Sequence, residues 1–104
     1  MKFNAVMNVT EDGKVYDPSW LVLLANEQLP ELDWLPEALN VCRHIHAETS
    51  AYIYFVDPTN PNEPGSDWSF QENLILEDPQ EGTLVLDILT NHRVGGIEFL
   101  SRLF

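Results

Sequence analysis

The chain has 104 residues, 44% of them hydrophobic, and its seventeen acidic residues outnumber five Lys and Arg, which gives a formal net charge of −12. The length predicts a single domain, 1–104, with enough apolar residues for one core. The charge argues against direct contact with nucleic acid or an anionic membrane, because nucleic-acid binding needs Lys and Arg to displace counterions and an anionic surface repels acids. It favours a soluble protein that attracts a basic partner.

The first residues and the cysteine content indicate a cytoplasmic protein. The start, MKFNAVMNVTEDG, turns polar too early for the apolar core of a signal peptide. The longest strongly apolar run, 20–25, is far below the ~20 residues that span a bilayer. Cys42 is the sole cysteine, so no internal disulfide can form.

The N-terminal residues predict a β-hairpin. Residues 3–9 are rich in strand formers, and 11–14 contain a glycine and the polar residues typical of a turn. Residues 15–16 then return as a short partner strand.

Two short helices follow. Asp17 can accept hydrogen bonds from the first N–H groups of a helix, and Pro18 fits the first helical position. The run 20–29 is apolar nearly all round and is predicted to be buried, as a short helix or a strand. The helix is favoured because of the cap and because Val22 alone is β-branched. A second helix is predicted at 36–47, where Leu39, Cys42 and Ile45 recur at helical spacing.

The second half of the chain predicts strands. Their expected bounds are 51–56, 68–76, 83–89 and 93–100. Leu84, Leu86 and Ile88 share one face of the third strand by its period of two. Residues 57–67 are rich in proline and predict a loop, and Gly95-Gly96 predicts a bulge or the close approach of another backbone.

These elements predict an α+β fold with an antiparallel sheet of about four to six strands. The hairpin and helices occupy 1–49, and a C-terminal meander occupies 50–104. The two short N-terminal helices are expected to pack against the sheet, with Trp20 and Trp34 in the core.

The second half resembles a small bacterial family, domain of unknown function 2283. The resemblance covers roughly 50–100, from AYIY at 51–54 through LVLD at 84–87 to RVGGIEFL at 93–100. The family's Asp-Gly turn is replaced by Asn91-His92, and 1–49 have no counterpart in the family pattern. Members are often encoded beside candidate toxins, so the resemblance implies an antitoxin-like protein, and it supplies no catalytic residue.

Acidic residues give the strongest functional signal. No Lys or Arg lies between His44 and His92, whereas acidic residues are frequent in this segment. Such a surface can steer a basic partner and speed its association. We expect the partner-binding residues to be Asp57, Glu63, Asp67, Trp68, Glu72, Glu77, Asp78 and Glu81. Trp68 is the expected aromatic anchor, with Tyr52 and Tyr54 as further candidates, because aromatic residues dominate interface hot spots.

Metal and nucleophile patterns are weak. Cys42 and His46 would share a helix face, but zinc needs further ligands and no second pair is present. A pairing of Cys42 with His46 or His92 has suitable residue types for nucleophilic catalysis, yet no nucleophile turn or oxyanion site accompanies it. We therefore predict no metal, no cofactor and no enzymatic activity.

The leading hypothesis is an immunity protein or antitoxin that neutralises a basic toxin, with a nuclease as the fitting example. One alternative is a phage-type DNA mimic, which needs carboxylates spaced like phosphates. A second alternative is a small enzyme or ligand-binding domain with 57–66 as a lid.

Overall fold

The computed structural model describes residues 8–103, and the side chains of 14–103. The chain order of its elements is β1 (Asn8–Val15), α1 (Ser19–Gln28), α2 (Leu35–Asn40), β2 (His44–Glu48), β3 (Tyr52–Tyr54), β4 (Phe70–Asp78), β5 (Gly82–Leu89) and β6 (Arg93–Phe99). A 3₁₀ turn, Leu100–Arg102, follows β6. None of the described helices has the length and apolarity needed to cross a membrane.

The described strands form one antiparallel sheet in the order β1-β2-β3-β6-β5-β4. It consists of two three-stranded meanders, β1–β3 and β4–β6, joined where β3 pairs with β6. The loop between β3 and β4 carries the chain from the centre of the sheet to its edge. The predicted α+β fold, with an antiparallel sheet and two short helices, is confirmed, and the four strands predicted after residue 50 lie within two residues of their expected bounds.

The core lies between the helices and one face of the sheet. Leu84, Leu86 and Ile88 of β5 are fully buried there, as their period of two predicts. The helices contribute Leu21, Leu24, Leu35 and Leu39 to the same cluster. Both helices therefore cover one face of the sheet.

The first helix begins one residue later than expected, at Ser19 with Pro18 as its N-cap, and it is less buried than predicted. Asp17 Oδ1 accepts a hydrogen bond from the Ser19 N–H at 3.0 Å. Leu21, Leu24 and Ala25 face the sheet, whereas 66% of Leu23 is exposed. The prediction of a helix buried all round was wrong because a two-layer fold covers only one side of the helix.

The second helix is shorter than predicted. It ends at Asn40, where the Arg43 Nε donates to the backbone oxygen of Asn40 at 2.9 Å. The predicted helical residues 44–47 belong instead to β2, in which Ile45 and Ala47 are buried on alternate positions. The helical spacing misled because Ile45 also fits the period of a strand.

The predicted N-terminal hairpin was wrong for the described residues. Its expected turn, 11–14, lies within the continuous strand β1, in a stretch where the register shifts between Val9 and Lys14. The partner of β1 is β2, a strand that the sequence had assigned to a helix. Residues 3–7 of the predicted hairpin lie outside the described residues.

Gly95 and Gly96 allow close packing on β6. Asp87 pairs with Gly96 and Ile88 pairs with Val94, so Gly95 is the extra residue of a bulge. A Cβ atom on Gly95 would lie 2.8 Å from the Trp68 ring, and one on Gly96 would lie 2.6 Å from the backbone oxygen of Ile53. The predicted bulge and close approach are both confirmed.

Candidate protein-binding surface

The face of the sheet opposite the helices carries no described helix. The cross-strand register aligns four strands on it. We call this surface the open face and define it by Tyr52, Tyr54, Asn73, Ile75, Glu77, Thr83, Val85, Asp87, Gly96 and Glu98. Each of these residues except Gly96 is partly or fully exposed to solvent, so the face can contact a partner.

Aromatic side chains form one half of the open face. The rings of Tyr52 and Tyr54 stack with their centroids 4.2 Å apart. Gly96 makes room for this pair, since a Cβ there would lie 2.7 Å from the Tyr52 ring. Tyr54 also meets the edge of Trp68 at 5.9 Å. Two partly exposed tyrosines that pack against their neighbours are suited to act as contact residues of an interface.

Carboxylates form the other half. Glu98 lies opposite both Tyr52 and Val85, and Asp87 lies opposite Gly96. Asp87 Oδ1 accepts a hydrogen bond from Asn73 Nδ2 at 2.6 Å. Partial burial raises the pKa of Asp87 to about 6, and the charge of Glu98 adds to the increase.

No cation balances these two carboxylates among the described residues. The ion pairs of the described side chains are Lys14–Glu48, Arg102–Glu81 and, when the histidine is protonated, His46–Asp57. The guanidinium of Arg93 is bound instead to the backbone oxygens of Thr90 and Asp67. The open face therefore combines apolar and aromatic surface with uncompensated negative charge.

The predicted binding residues are spread over three segments rather than gathered at one site. Asp57, Glu63 and Asp67 lie on the loop between β3 and β4. Glu72, Glu77 and Asp78 lie on the edge strand β4, and Glu81 lies in the turn before β5. Of the predicted residues, Glu77 alone belongs to the open face.

Several of these acids are engaged in local structure. Asp57 accepts from the Thr59 N–H at 3.0 Å, and this bonding with Thr59 lowers the pKa of Asp57. Asp78 accepts from the backbone of the β4–β5 turn. Glu81 forms an ion pair of 2.8 Å with Arg102, which fixes the C-terminal 3₁₀ turn. Through these contacts the three carboxylates stabilise loops and turns of the fold.

Trp68 does not match the expectation of an exposed anchor. It is 7% exposed, and its ring covers Gly95 beside Leu89. The loop residues before it return to the sheet through the Arg93 bond to Asp67. Trp68 therefore packs against Tyr54 and presents little surface of its own.

The other two tryptophans pack against the core, as predicted, although both remain partly exposed. Trp20 stacks near Phe99 with centroids 6.4 Å apart, and its ring N–H donates to the Tyr16 hydroxyl. Trp34 stacks on His92 at 4.2 Å. Neither ring lies on the open face.

Sequence reasoning missed the proximity of Asp87 and Glu98 on the open face. The signal was the period of two on β5, which places Val85 and Asp87 opposite the core face. The partner residues on β6 depend on the bulge at Gly95, because the bulge shifts by one residue every pair from Asp87–Gly96 to Leu84–Phe99. A register drawn without the bulge pairs Asp87 with the wrong residue.

Cys42 has the environment of a structural thiol. Burial raises its pKa to about 12, and its Sγ lies 3.4 Å from the backbone oxygen of Ala38. His46 lies on β2 rather than on the helix expected to carry it, so the predicted helical pair does not exist. Among residues 8–103, no three His, Cys, Asp or Glu side chains are grouped closely enough to hold a metal ion.

Comparisons add no relative: no family model matches the chain, and no curated protein and no solved structure shows significant similarity to it. The resemblance of 50–100 to domain of unknown function 2283 stays a prediction.

Proposed function

We propose that the chain is a small acidic inhibitor, an immunity protein or antitoxin, that neutralises a basic toxin through the open face. The observation that carries the proposal is the uncompensated pair Asp87 and Glu98 beside the stacked Tyr52 and Tyr54. A nuclease is the toxin class that fits, because a site that binds phosphate must be positive. Inhibition would follow from occlusion of that site.

The energetics of the open face favour a cationic occupant. Ionised Asp87 is disfavoured in the free protein because it is half-buried and faces the charge of Glu98. A Lys or Arg of the partner placed between the two carboxylates would relieve this repulsion. Tyr52 and Tyr54 can at the same time contact the stem of that side chain or its charge. The free protein would thus carry an electrostatic cost that binding removes.

The distribution of the acids supports an inhibitor of this kind more than a DNA mimic. Carboxylates occur on α1 and α2 (Glu27 and Glu37), on the β3–β4 loop, on β4 and on the open face. A mimic requires one row of carboxylates at phosphate spacing. Charge on many sides serves instead to accelerate the approach of a basic protein from any direction.

The test begins with the product of the gene next to this one. That product should arrest growth when expressed alone and be harmless when co-expressed with this chain. The purified pair should associate more slowly as ionic strength rises from about 50 mM to about 500 mM, because screening weakens electrostatic steering. A harmless neighbour that forms no complex would refute the proposal.

A charge-reversal variant tests whether the open face is the binding surface. Glu98→Lys on the open face should weaken the complex by roughly tenfold or more, since it places a like charge against the partner's cation. Glu27→Lys is the matched control, because it changes the net charge equally on an exposed position of α1, in the other layer. Equal effects of the two variants would mean that net charge, and not the open face, determines binding.

A further inference from the structure

The strand β4 lies at the edge of the sheet and has one strand neighbour, β5. An edge strand leaves every second residue with its backbone N–H and C=O pointing away from the sheet. The direction at Glu77 is fixed by Gln28, whose Nε2 donates to the Glu77 oxygen at 2.7 Å. The Glu77 N–H donates to Gln28 Oε1 at 2.8 Å. Gln28 therefore occupies this end of the edge as a neighbouring strand would.

The opposite end of β4 is closed in a similar way. The Ser69 oxygen accepts from the Thr90 N–H on the side of β5. The following N–H, that of Phe70, therefore points to the outer side, where it donates to Asn62 Oδ1 at 2.8 Å. Side-chain amides thus satisfy the outer backbone groups near both ends of the strand.

The middle of the edge is open. Counting back from Glu77 by the period of two, the N–H and C=O groups of Ile75 and Asn73 also point outward. No residue in the described part of the chain bonds to these four groups from the outer side. Ile75 is 48% exposed and Phe70 is 42% exposed, so apolar surface accompanies the unpaired backbone. Such an edge is a template for a further strand.

The side chains beside the unpaired backbone groups of β4 favour an added strand of positive charge. Glu72 is exposed, and Glu77 bonds to the neutral hydroxyl of Thr83. No described cation pairs with either carboxylate. A second copy of the chain would bring the same acids and a further net charge of −12, which disfavours self-pairing at this edge. A segment with Lys or Arg at alternate positions is complementary.

We propose that an extended basic segment of the partner adds to β4 as a further strand and pairs with the backbone of Asn73 and Ile75. This rests on the proposed function and specifies how the partner is held. The added strand would lie next to the open face, because the side chains of Asn73, Ile75 and Glu77 belong to that face. Main-chain hydrogen bonds would supply affinity, and Glu72 and Glu77 would supply the preference for a basic segment.

The test uses the synthetic peptide Lys-Val-Lys-Val-Lys-Val amide and the same peptide N-methylated at every residue. The methyl groups remove the N–H groups along both edges of the extended peptide and leave the charge unchanged. Amide chemical shifts of the isotopically labelled protein should move at 72–76 on addition of the unmethylated peptide. The methylated peptide should bind about tenfold more weakly, since one or two net hydrogen bonds are lost.

A variant of the protein makes the same test from the other side. Ile75→Pro removes an outward N–H that does not bond to β5, so the β4–β5 ladder is retained. It should weaken the peptide about tenfold, whereas the control Ile75→Thr, which keeps the N–H, should have little effect. If Ile75→Pro fails to fold, the comparison of the two peptides on the unmodified protein still decides.

Three outcomes would overturn strand addition. The first is equal binding of both peptides with shifts at Tyr52, Tyr54 and Glu98 but not on β4; it leaves the proposed function standing. The second is no binding of either peptide, while the neighbouring product is still neutralised. The third is a concentration-dependent dimer of the free protein whose contacts lie on β4. The proposed function would fail in a different way: the product of the neighbouring gene would be harmless and would form no complex.

Discussion

The two faces of the sheet are built from the same strands yet have opposite chemistry. On β5, Leu84, Leu86 and Ile88 point into the helix-covered core and are fully buried. The alternate positions Val85 and Asp87 point to the open face and are half-buried. The period of two therefore separates a surface that stabilises the fold from a surface that is available for contact.

The difference is also electrostatic. The described core cluster contains no charged side chain. The open face holds Asp87, Glu77 and Glu98 in a setting that raises the pKa of Asp87 and of Tyr54, in both cases first through burial and then through Glu98. Ionised Asp87 is disfavoured in the folded protein, because burial and the charge of Glu98 both oppose its ionisation.

The largest expected effect is a loss of stability caused by a substitution on the helix-covered face. Leu86→Ala should reduce the free energy of unfolding by about 2–5 kcal/mol, because it leaves a cavity at a fully buried position. The matched change on the open face, Ile75→Ala, should cost less than about 1 kcal/mol, since Ile75 is 48% exposed. Urea unfolding of both variants measures the difference. Similar losses would mean that the open face is covered in solution.

How far the sequence predicts this arrangement depends on whether a signal is local. The alternation on β5 and the glycine pair on β6 are local patterns, and both predictions were correct. The strand β2 was missed because only residues 41–43 separate it from α2 and because Ile45 fits both periods. The burial of Trp68 depends on where a long loop returns to the sheet, and the proximity of Asp87 to Glu98 depends on one bulged residue. Neither is encoded within a short window.

The next effect concerns the pH dependence of stability. The folded-state pKa of Asp87, about 6, lies above its ordinary value of 3.8. The folded protein therefore holds this proton at pH values where the unfolded chain has lost it. The stability that this proton contributes is fully present below about pH 4 and is lost as the pH rises through about 6.

Asp87→Asn should remove this loss while the amide oxygen still accepts the hydrogen bond from Asn73. Relative to the unmodified protein, the variant should be more stable by roughly 1 kcal/mol near pH 8, a value reduced for solvent screening of a half-exposed group. Near pH 4 the two proteins should unfold at about the same temperature. Thermal unfolding at both pH values is the measurement, and a constant difference across the range would refute the assigned pKa.

The smallest effect separates the two causes of the Asp87 shift. Burial is the larger cause and the charge of Glu98 the smaller one. Glu98→Gln should therefore lower the pKa of Asp87 without returning it to 3.8, and it should also lower the pKa of Tyr54 slightly. A carbon-detected titration of the Asp87 carboxyl reads this directly. A return to the ordinary value would assign the shift to the neighbouring charge instead. If burial dominates, removing Glu98 cannot restore the ordinary pKa of Asp87, whereas a cation placed beside the carboxylate would lower it.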